Sequence, residues 1–158
     1  MTSLEPTIRP AHAGDIDSLL DLELVFPEGD RATRRNWRDL LSGHSAVLIA
    51  DQGESLGGAA VLLFRKGTTV GRLYSLAVAP AARGRGVARA LLAASDEACQ
   101  VRQCDRLRLE VRTSNEEALR LYRNNGYVVI GHKSSYYPDG EDAVHMEKRL
   151  IPMKDILS

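Results

Sequence analysis

Between Val78 and Ala88 the chain reads Val-Ala-Pro-Ala-Ala-Arg-Gly-Arg-Gly-Val-Ala. A strand ending at Val78, a glycine-containing loop and a helix beginning at Val87 would together make an anion site. Helix N-termini carry unpaired N–H groups and a partial positive charge, so they bind phosphate. Gly84 and Gly86 let the backbone come close to a ligand, and Arg83, Arg85 and Arg89 add full charges. A tight strand-to-helix turn with surface arginines is the other reading of the same residues. Two common phosphate loops do not fit. The pattern G-x-x-x-x-G-K-S/T is absent, and the dinucleotide pattern G-x-G-x-x-G/A fails at its third glycine, where Arg89 stands. A side chain that large hinders the close helix–strand contact the pattern serves.

Other residues with chemical potential are scattered. His12, His44, His132 and His145 have no metal-like spacing to a second ligand, so no metal is expected and structural histidines are. Cys99 and Cys104 are the only cysteines, and their spacing matches no common zinc or redox motif. They read as structural thiols in a reduced, cytoplasmic setting.

The elements that must position the loop read as mixed α/β. Thr7 to Arg9 is a short strand. Gly14-Asp15 opens a helix with Ile16, Leu19, Leu20 and Leu24 on one apolar face, ended by Phe26-Pro27-Glu28-Gly29. Asp30 is placed as the cap of a second helix that carries Trp37, Leu40 and Leu41 and stops at Ser42-Gly43. Ala46 to Ala50 and Leu56 to Phe64 form a hairpin, with Gly57-Gly58 marking a bulge or a close backbone approach. Arg72 to Val78 is a central strand, and Val87 to about Arg102 a helix with Val87, Leu91, Leu92 and Ala98 inward. From Arg106 to Val111 the pattern alternates. Leu107, Leu109 and Val111 face one way, and Arg106, Arg108 and Glu110 the other. Ser114 with Glu117 forms a capping-box pattern, with Asn115 as the alternative cap. That helix ends at Asn125-Gly126, and the strands Tyr127 to Ile130 and Ala143 to Leu150 follow.

Composition narrows the class. A chain of 158 residues, 44% hydrophobic and 27% charged, is one globular domain of ordinary size, spanning residues 1–158. Lys plus Arg and Asp plus Glu are both 21, so a general nucleic-acid binder is not expected. From Arg72 to Arg123, however, basic residues outnumber acidic ones by four. A basic middle in a neutral chain suggests a bound anion of limited size, or a solvated helix face rich in Arg. The longest apolar stretch, Ala59 to Phe64, is too short to span a membrane, and Met1 to Pro6 carries neither a basic start nor an apolar run of a secretory signal.

Arg83-Gly84-Arg85-Gly86-Val87-Ala88 resembles the Arg/Gln-x-x-Gly-x-Gly/Ala signature of the GNAT acetyltransferases, whose loop grips the pyrophosphate of acetyl-coenzyme A. Leu109-Glu110-Val111-Arg112-Thr113-Ser114-Asn115, Ala118, Leu121-Tyr122 and Gly126-Tyr127 look like a second block of the family. Tyr136-Tyr137-Pro138-Asp139-Gly140-Glu141-Asp142-Ala143 resembles the C-terminal part of one subgroup, the bacterial ribosomal-protein-alanine N-acetyltransferases. The resemblance covers roughly Arg72 to Leu150. It implies a GNAT fold: a mixed, mostly antiparallel sheet flanked by helices, with a splayed pair of central strands.

The resemblance also implies roles. Arg83, Gly84, Arg85, Gly86, Val87, Ala88 and Arg89 would hold the phosphates of acetyl-CoA, and Leu76, Ala77 and Val78 its pantetheine arm. One N–H of that strand would stabilise the developing oxyanion. Asn115 would contact the pantetheine, cap its helix, or both. Glu110 would be the general base, directly or through ordered water, with an ion pair to Arg108 or Arg112 as the alternative. Tyr122 would be the general acid; a helix tyrosine packed in the core is its alternative. Phe26, Tyr136, Tyr137 and Asp142 would border the acceptor. A Glu is a modest base, which suits an α-amine with pKa of about 8 better than a lysine near 10.4. The chain departs from the subgroup at Phe26-Pro27-Glu28, where the subgroup usually carries Phe-Pro-Trp. The expected function is direct acetyl transfer to a protein N-terminal α-amine by a monomer or homodimer. The alternatives are a small-molecule amine acetyltransferase and a non-catalytic acyl-CoA-binding regulatory module.

Overall fold

The computed structural model describes residues 6–157, so Met1 to Glu5, used above to exclude a secretory signal, lie outside the described residues. In chain order the elements are β1 (Thr7–Pro10), α1 (Ile16–Leu22), α2 (Arg34–Ser42), β2 (Ala46–Asp51), β3 (Leu56–Phe64), β4 (Val70–Val78), α3 (Val87–Val101), β5 (Arg106–Arg112), α4 (Glu116–Asn124), β6 (Val128–Lys133), β7 (Ala143–Arg149) and α5 (Met153–Leu157). The strands form one sheet in the order β1-β2-β3-β4-β5-β7-β6. β4 and β5 run parallel and pair Val70 with Arg106, Gly71 with Leu107 and Arg72 with Arg108, a short pairing of the kind a splayed central couple has. The pairs β1–β2, β2–β3, β5–β7 and β6–β7 are antiparallel. Among the described residues no helix is long and apolar enough to cross a membrane. Contacts divide the chain into two units, Met1–Leu63 with Ser75–Ser95 and Phe64–Tyr74 with Asp96–Ser158.

In the first unit α1 and α2 bury Ile16, Leu19, Leu22 and Trp37 against Val47, Ile49, Ala59 and Val61. Each fully buried side chain of this size contributes about 1.5–3 kcal/mol. Two local expectations fail. Leu24 is 64% exposed, because Glu23–Val25 turn into a 3-10 helix that swings it off the apolar face. Thr33, not Asp30, caps α2. Thr33 Oγ1 accepts from the Asn36 N–H at 3.1 Å, and Asn36 Oδ1 accepts from the Thr33 N–H at 2.8 Å. This reciprocal pair satisfies two donors at once, whereas Asp30 belongs to a separate turn, Glu28–Asp30. Both readings of Gly57-Gly58 hold. The β2–β3 register slips between Ala50↔Gly58 and Asp51↔Leu56. A Cβ on Gly58 would stand 2.6 Å from the carbonyl oxygen of Ala77.

In the second unit Leu107, Leu109 and Val111 of β5 are buried, and the alternation predicted for that strand is present. Asn115 is the cap of α4, its Oδ1 accepting from the Ala118 N–H at 3.1 Å. Ser114 does not form the box, because its N–H donates to Glu141 Oε2 at 2.9 Å. Tyr122 and Tyr127 pack edge-to-face, 5.6 Å between ring centres. Cys99 and Cys104 are buried, and burial pushes both thiols up. β6 begins at Val128, one residue later than expected, and lies at an edge of the sheet. Its register with β7 jumps from Val129↔Met146 to Gly131↔His145, leaving Ile130 as an extra residue. α5 was not foreseen; Gln103 Oε1 accepts from its Lys154 N–H at 2.9 Å.

Candidate active site

Within the first unit, Ala82 and Val87 are buried and anchor the two ends of an exposed loop, Arg83 to Gly86. Gly84 and Gly86 have φ of +75° and +78°, and among the described residues no atom beyond the adjoining residues lies within 4 Å of where a Cβ would stand on either. Both adopt the left-handed conformation that favours glycine, and both leave open space beside the backbone. The first turn of the fifteen-residue α3 starts at Gly86, whose carbonyl accepts from the Ala90 N–H at 3.0 Å. Arg83, Arg85 and Arg89 are exposed around that turn. A phosphate-bearing cofactor fits this cradle of open backbone, helix N-terminus and arginines. Leu76 and Val78 are half-buried and Ala77 is buried; the strand is continued by a bond from the Ala79 N–H to the Gly57 carbonyl at 2.8 Å.

Phe26 is half-buried against the core of this unit, its carbonyl held by Arg31 Nε at 2.9 Å. Beside it lies a carboxyl that sequence reasoning passed over. Glu23 is buried, Oε1 accepts from the Ala32 N–H at 3.2 Å, and Oε2 has no partner. Burial pushes its pKa up. Trp37 Nε1 is likewise unpartnered, and both residues line one small cavity with Leu19, Ser75 and Ala77. The signal was available: Glu23 follows Leu19 by four, on the apolar face of the helix.

Within the second unit Glu110 sits at the centre of a charged cluster. Its side chain is 6% exposed. Lys133 Nζ lies 2.7 Å from Oε1, and Arg72 Nη2 lies 3.1 Å from Oε2. His145, directly across the β5–β7 ladder, places Nε2 3.9 Å from Oε1. Burial first, and then the charge of Lys133, hold the His145 imidazole below its ordinary pKa of 6.5, so it is neutral at pH 7. The ion pair with Arg108 or Arg112 does not form. Arg108 pairs with Glu147 at 2.7 Å, and Arg112 with Asp139 at 2.8 Å and Glu141 at 2.9 Å. Sequence reasoning missed Arg72, Lys133 and His145 as companions of Glu110, because only strand register brings them there.

Tyr136 accepts a hydrogen bond from Arg72 through its hydroxyl, and its ring lies 5.5 Å from Lys133 Nζ. Tyr137 stacks under Arg112, 4.2 Å from guanidinium to ring centre. Asp142 turns its Oδ1 to the Ser135 N–H at 2.8 Å, and its carbonyl accepts from Thr113 Oγ1 at 2.8 Å. The loop between β6 and β7 is thus tied to both the base of the cluster and the end of β5. Tyr122 projects from α4 into a buried position against Tyr127, and burial pushes its phenol well above the usual value. It keeps its proton throughout the neutral range. The structure brings Glu110, Tyr136 and the neutral His145 into one cluster; Asn115 is committed to its helix cap through Oδ1, which leaves its amide N–H groups as donors.

The Acetyltransferase (GNAT) family description matches residues 15–127. A Bacillus subtilis protein named as a putative ribosomal protein bS18-alanine N-acetyltransferase is 37% identical over 142 residues, covering 88% of this chain and 92% of that protein. An uncharacterized protein of Mycobacterium leprae is 36% identical over 152 residues, 90% of this chain, but the chain spans only 39% of that protein's length. Among solved structures, Ard1 from Thermoplasma volcanium is similar with a TM-score of 0.83 at 28% identity, over 94% of this chain and 99% of that one.

Proposed function

Because this chain belongs to the GNAT acetyltransferase family, we propose that it transfers acetyl from acetyl-CoA directly to a protein N-terminal α-amine, in the cytoplasm. The observation that carries the reading is Glu110, a nearly buried carboxylate flanked by two cations. An ammonium entering beside Arg72 and Lys133 is destabilised by like charge, which favours its neutral form. An α-amine, with pKa of about 8, needs far less of that help than a lysine near 10.4. The name of the Bacillus subtilis relative supports the same acceptor class.

Acetyl-CoA, when bound, supplies the acetyl group as a thioester. The open backbone at Gly84 and Gly86 with Arg83, Arg85, Val87, Ala88 and Arg89 is suited to its phosphates. The backbone of Leu76, Ala77 and Val78 and the amide of Asn115 are assigned to its pantetheine. Glu110 takes up the proton of the acceptor, through water where Lys133 and Arg72 occupy its oxygens. Tyr122 holds a proton on its Oη for the departing sulfur. Phe26, Tyr136, Tyr137 and Asp142 border the acceptor.

The test is acetyl-CoA turnover, read as free thiol, against three acceptor sets. These are peptides starting with Ala, the same peptides blocked at the N-terminus but carrying an internal Lys, and small amines. Turnover confined to free N-termini supports the proposal. Turnover confined to small amines assigns the protein to small-molecule acetylation. Tight cofactor binding with no turnover on any set would favour an acyl-CoA-binding module.

A further inference from the structure

Glu110 is covered rather than open. Its side chain is 6% exposed, whereas those of Arg72 and Lys133 are 39% and 41% exposed. A molecule arriving from solvent therefore meets two cations before it meets the carboxylate. The trio carries one net positive charge, and the neutral His145 adds none. The neighbouring arginines are different. Arg108 is paired with Glu147, and Arg112 with Asp139 and Glu141. At Glu110 two cations, Arg72 and Lys133, divide one carboxylate between them. Arg72 Nη2 serves both Glu110 and the Tyr136 hydroxyl, and the rest of its part-exposed guanidinium stands beside the part-exposed Lys133 ammonium. A guanidinium and an ammonium side by side match the charge of a carboxylate.

We propose that Arg72 and Lys133 form an anion subsite over Glu110, so that the preferred acceptor carries a carboxylate close to its reactive amine. For a protein N-terminus this means Asp or Glu immediately after the first residue. The inference rests on the reading of an N-terminal amine as acceptor and Glu110 as base. The substrate carboxylate draws Lys133 or Arg72 away from Glu110 and frees an oxygen. An N–H bond of the acceptor ammonium then breaks as an O–H bond forms on Glu110, leaving the amine lone pair free to attack. A Lys at the same substrate position brings charge of the wrong sign into a site that already holds an excess cation.

The experiment compares three peptides that begin Ala-Glu, Ala-Gln and Ala-Lys, are otherwise identical, and have blocked internal amines. The expected kcat/KM is at least about tenfold higher for Ala-Glu than for Ala-Gln, the gain from one charge-assisted contact, and lower again for Ala-Lys. The Glu-to-Gln ratio should shrink toward one in K133Q and R72Q, recover in K133R, and fall as salt is added. Melting of each variant, followed in parallel, separates loss of selectivity from loss of fold. Equal rates for Ala-Glu and Ala-Gln, or a ratio that survives both substitutions, would overturn the subsite. If peptides are not turned over and small amines are, the acceptor reading fails instead. The subsite is then tested with an amino acid against its amide, and equal rates there overturn it too.

Discussion

Replacing Gly58 with alanine should damage β4, the strand proposed to hold the pantetheine arm, from behind. The added Cβ would stand 2.6 Å from the Ala77 carbonyl oxygen and 3.0 Å from both Leu91 Cδ1 and Val87 Cγ1. Ordinary van der Waals separations are about 3.5–4 Å, so Ala77 must retreat by about 1 Å. A carbonyl oxygen cannot rotate aside as a side-chain end can, and the two side chains behind it are buried. Overpacking of this kind costs about 1–3 kcal/mol, and a clash with backbone belongs at the upper end, about 2–3 kcal/mol. For a chain of this length each kcal/mol lowers Tm by about 2–4 °C, giving a fall of roughly 5–10 °C. If the proposed pantetheine role of Leu76 and Val78 holds, acetyl-CoA affinity should weaken as well, since both flank the displaced residue. The assay is thermal and urea unfolding alongside calorimetric titration with acetyl-CoA. Gly57→Ala is the internal control, because the nearest atoms to its Cβ, at 3.0 Å, belong to the exposed, movable side chain of Gln52. A Gly58→Ala protein that melts within about 1 °C of wild type and binds acetyl-CoA equally well would refute the reasoning.

Tyr122→Phe should lower kcat by about a hundredfold or more with little change in acetyl-CoA affinity, and an unchanged kcat would remove Tyr122 as the acid. Because burial raises that phenol, Tyr122 should contribute no alkaline fall in rate below about pH 10. Gly86→Ala forces a side chain into φ of +78°, at about 1–2 kcal/mol. The expected result is weaker acetyl-CoA binding by calorimetry, and undiminished affinity counts against the phosphate loop. His145 is held neutral by the fold, while the unfolded chain takes up a proton as pH falls through the ordinary value of 6.5. Its contribution is therefore present above about pH 6.5 and lost as acid reaches the lower folded value. His145→Gln should flatten the urea midpoint over that acid range, and an identical pH dependence in both proteins would contradict the assignment.

The periodic parts of this chain were legible without coordinates. The alternation of Leu107, Leu109 and Val111 with Arg106, Arg108 and Glu110 is a property of neighbouring residues, so β5 and its polar face follow from the string alone. The same is true of the loop before α3, whose glycines mark the left-handed positions. What was not legible depends on register between distant segments. His145 faces Glu110 because β7 pairs antiparallel with β5, and Arg72 reaches Glu110 because β4 pairs parallel with it. Neither pairing leaves a mark at Glu110 itself, so the string alone points to the adjacent arginines instead. The choice between candidate caps has a local cause. Asp30, Thr33, Ser114 and Asn115 all suit a cap by type, and competing hydrogen bonds decide between them: Ser114 donates its N–H to Glu141, and Thr33 finds Asn36.

The β6 edge bears on how this protein should be handled. Val128, Val129 and Ile130 are consecutive, apolar and exposed on a strand with one unpaired side. A straight edge of that kind would template strands from other chains and seed precipitation at high concentration. The extra residue at Ile130 interrupts the ladder, and the strand then ends in Gly131, His132 and the cationic Lys133. The irregularity thus acts as a solubility device. Deleting Ile130 to restore a continuous register should leave a chain that folds but is far harder to keep in solution.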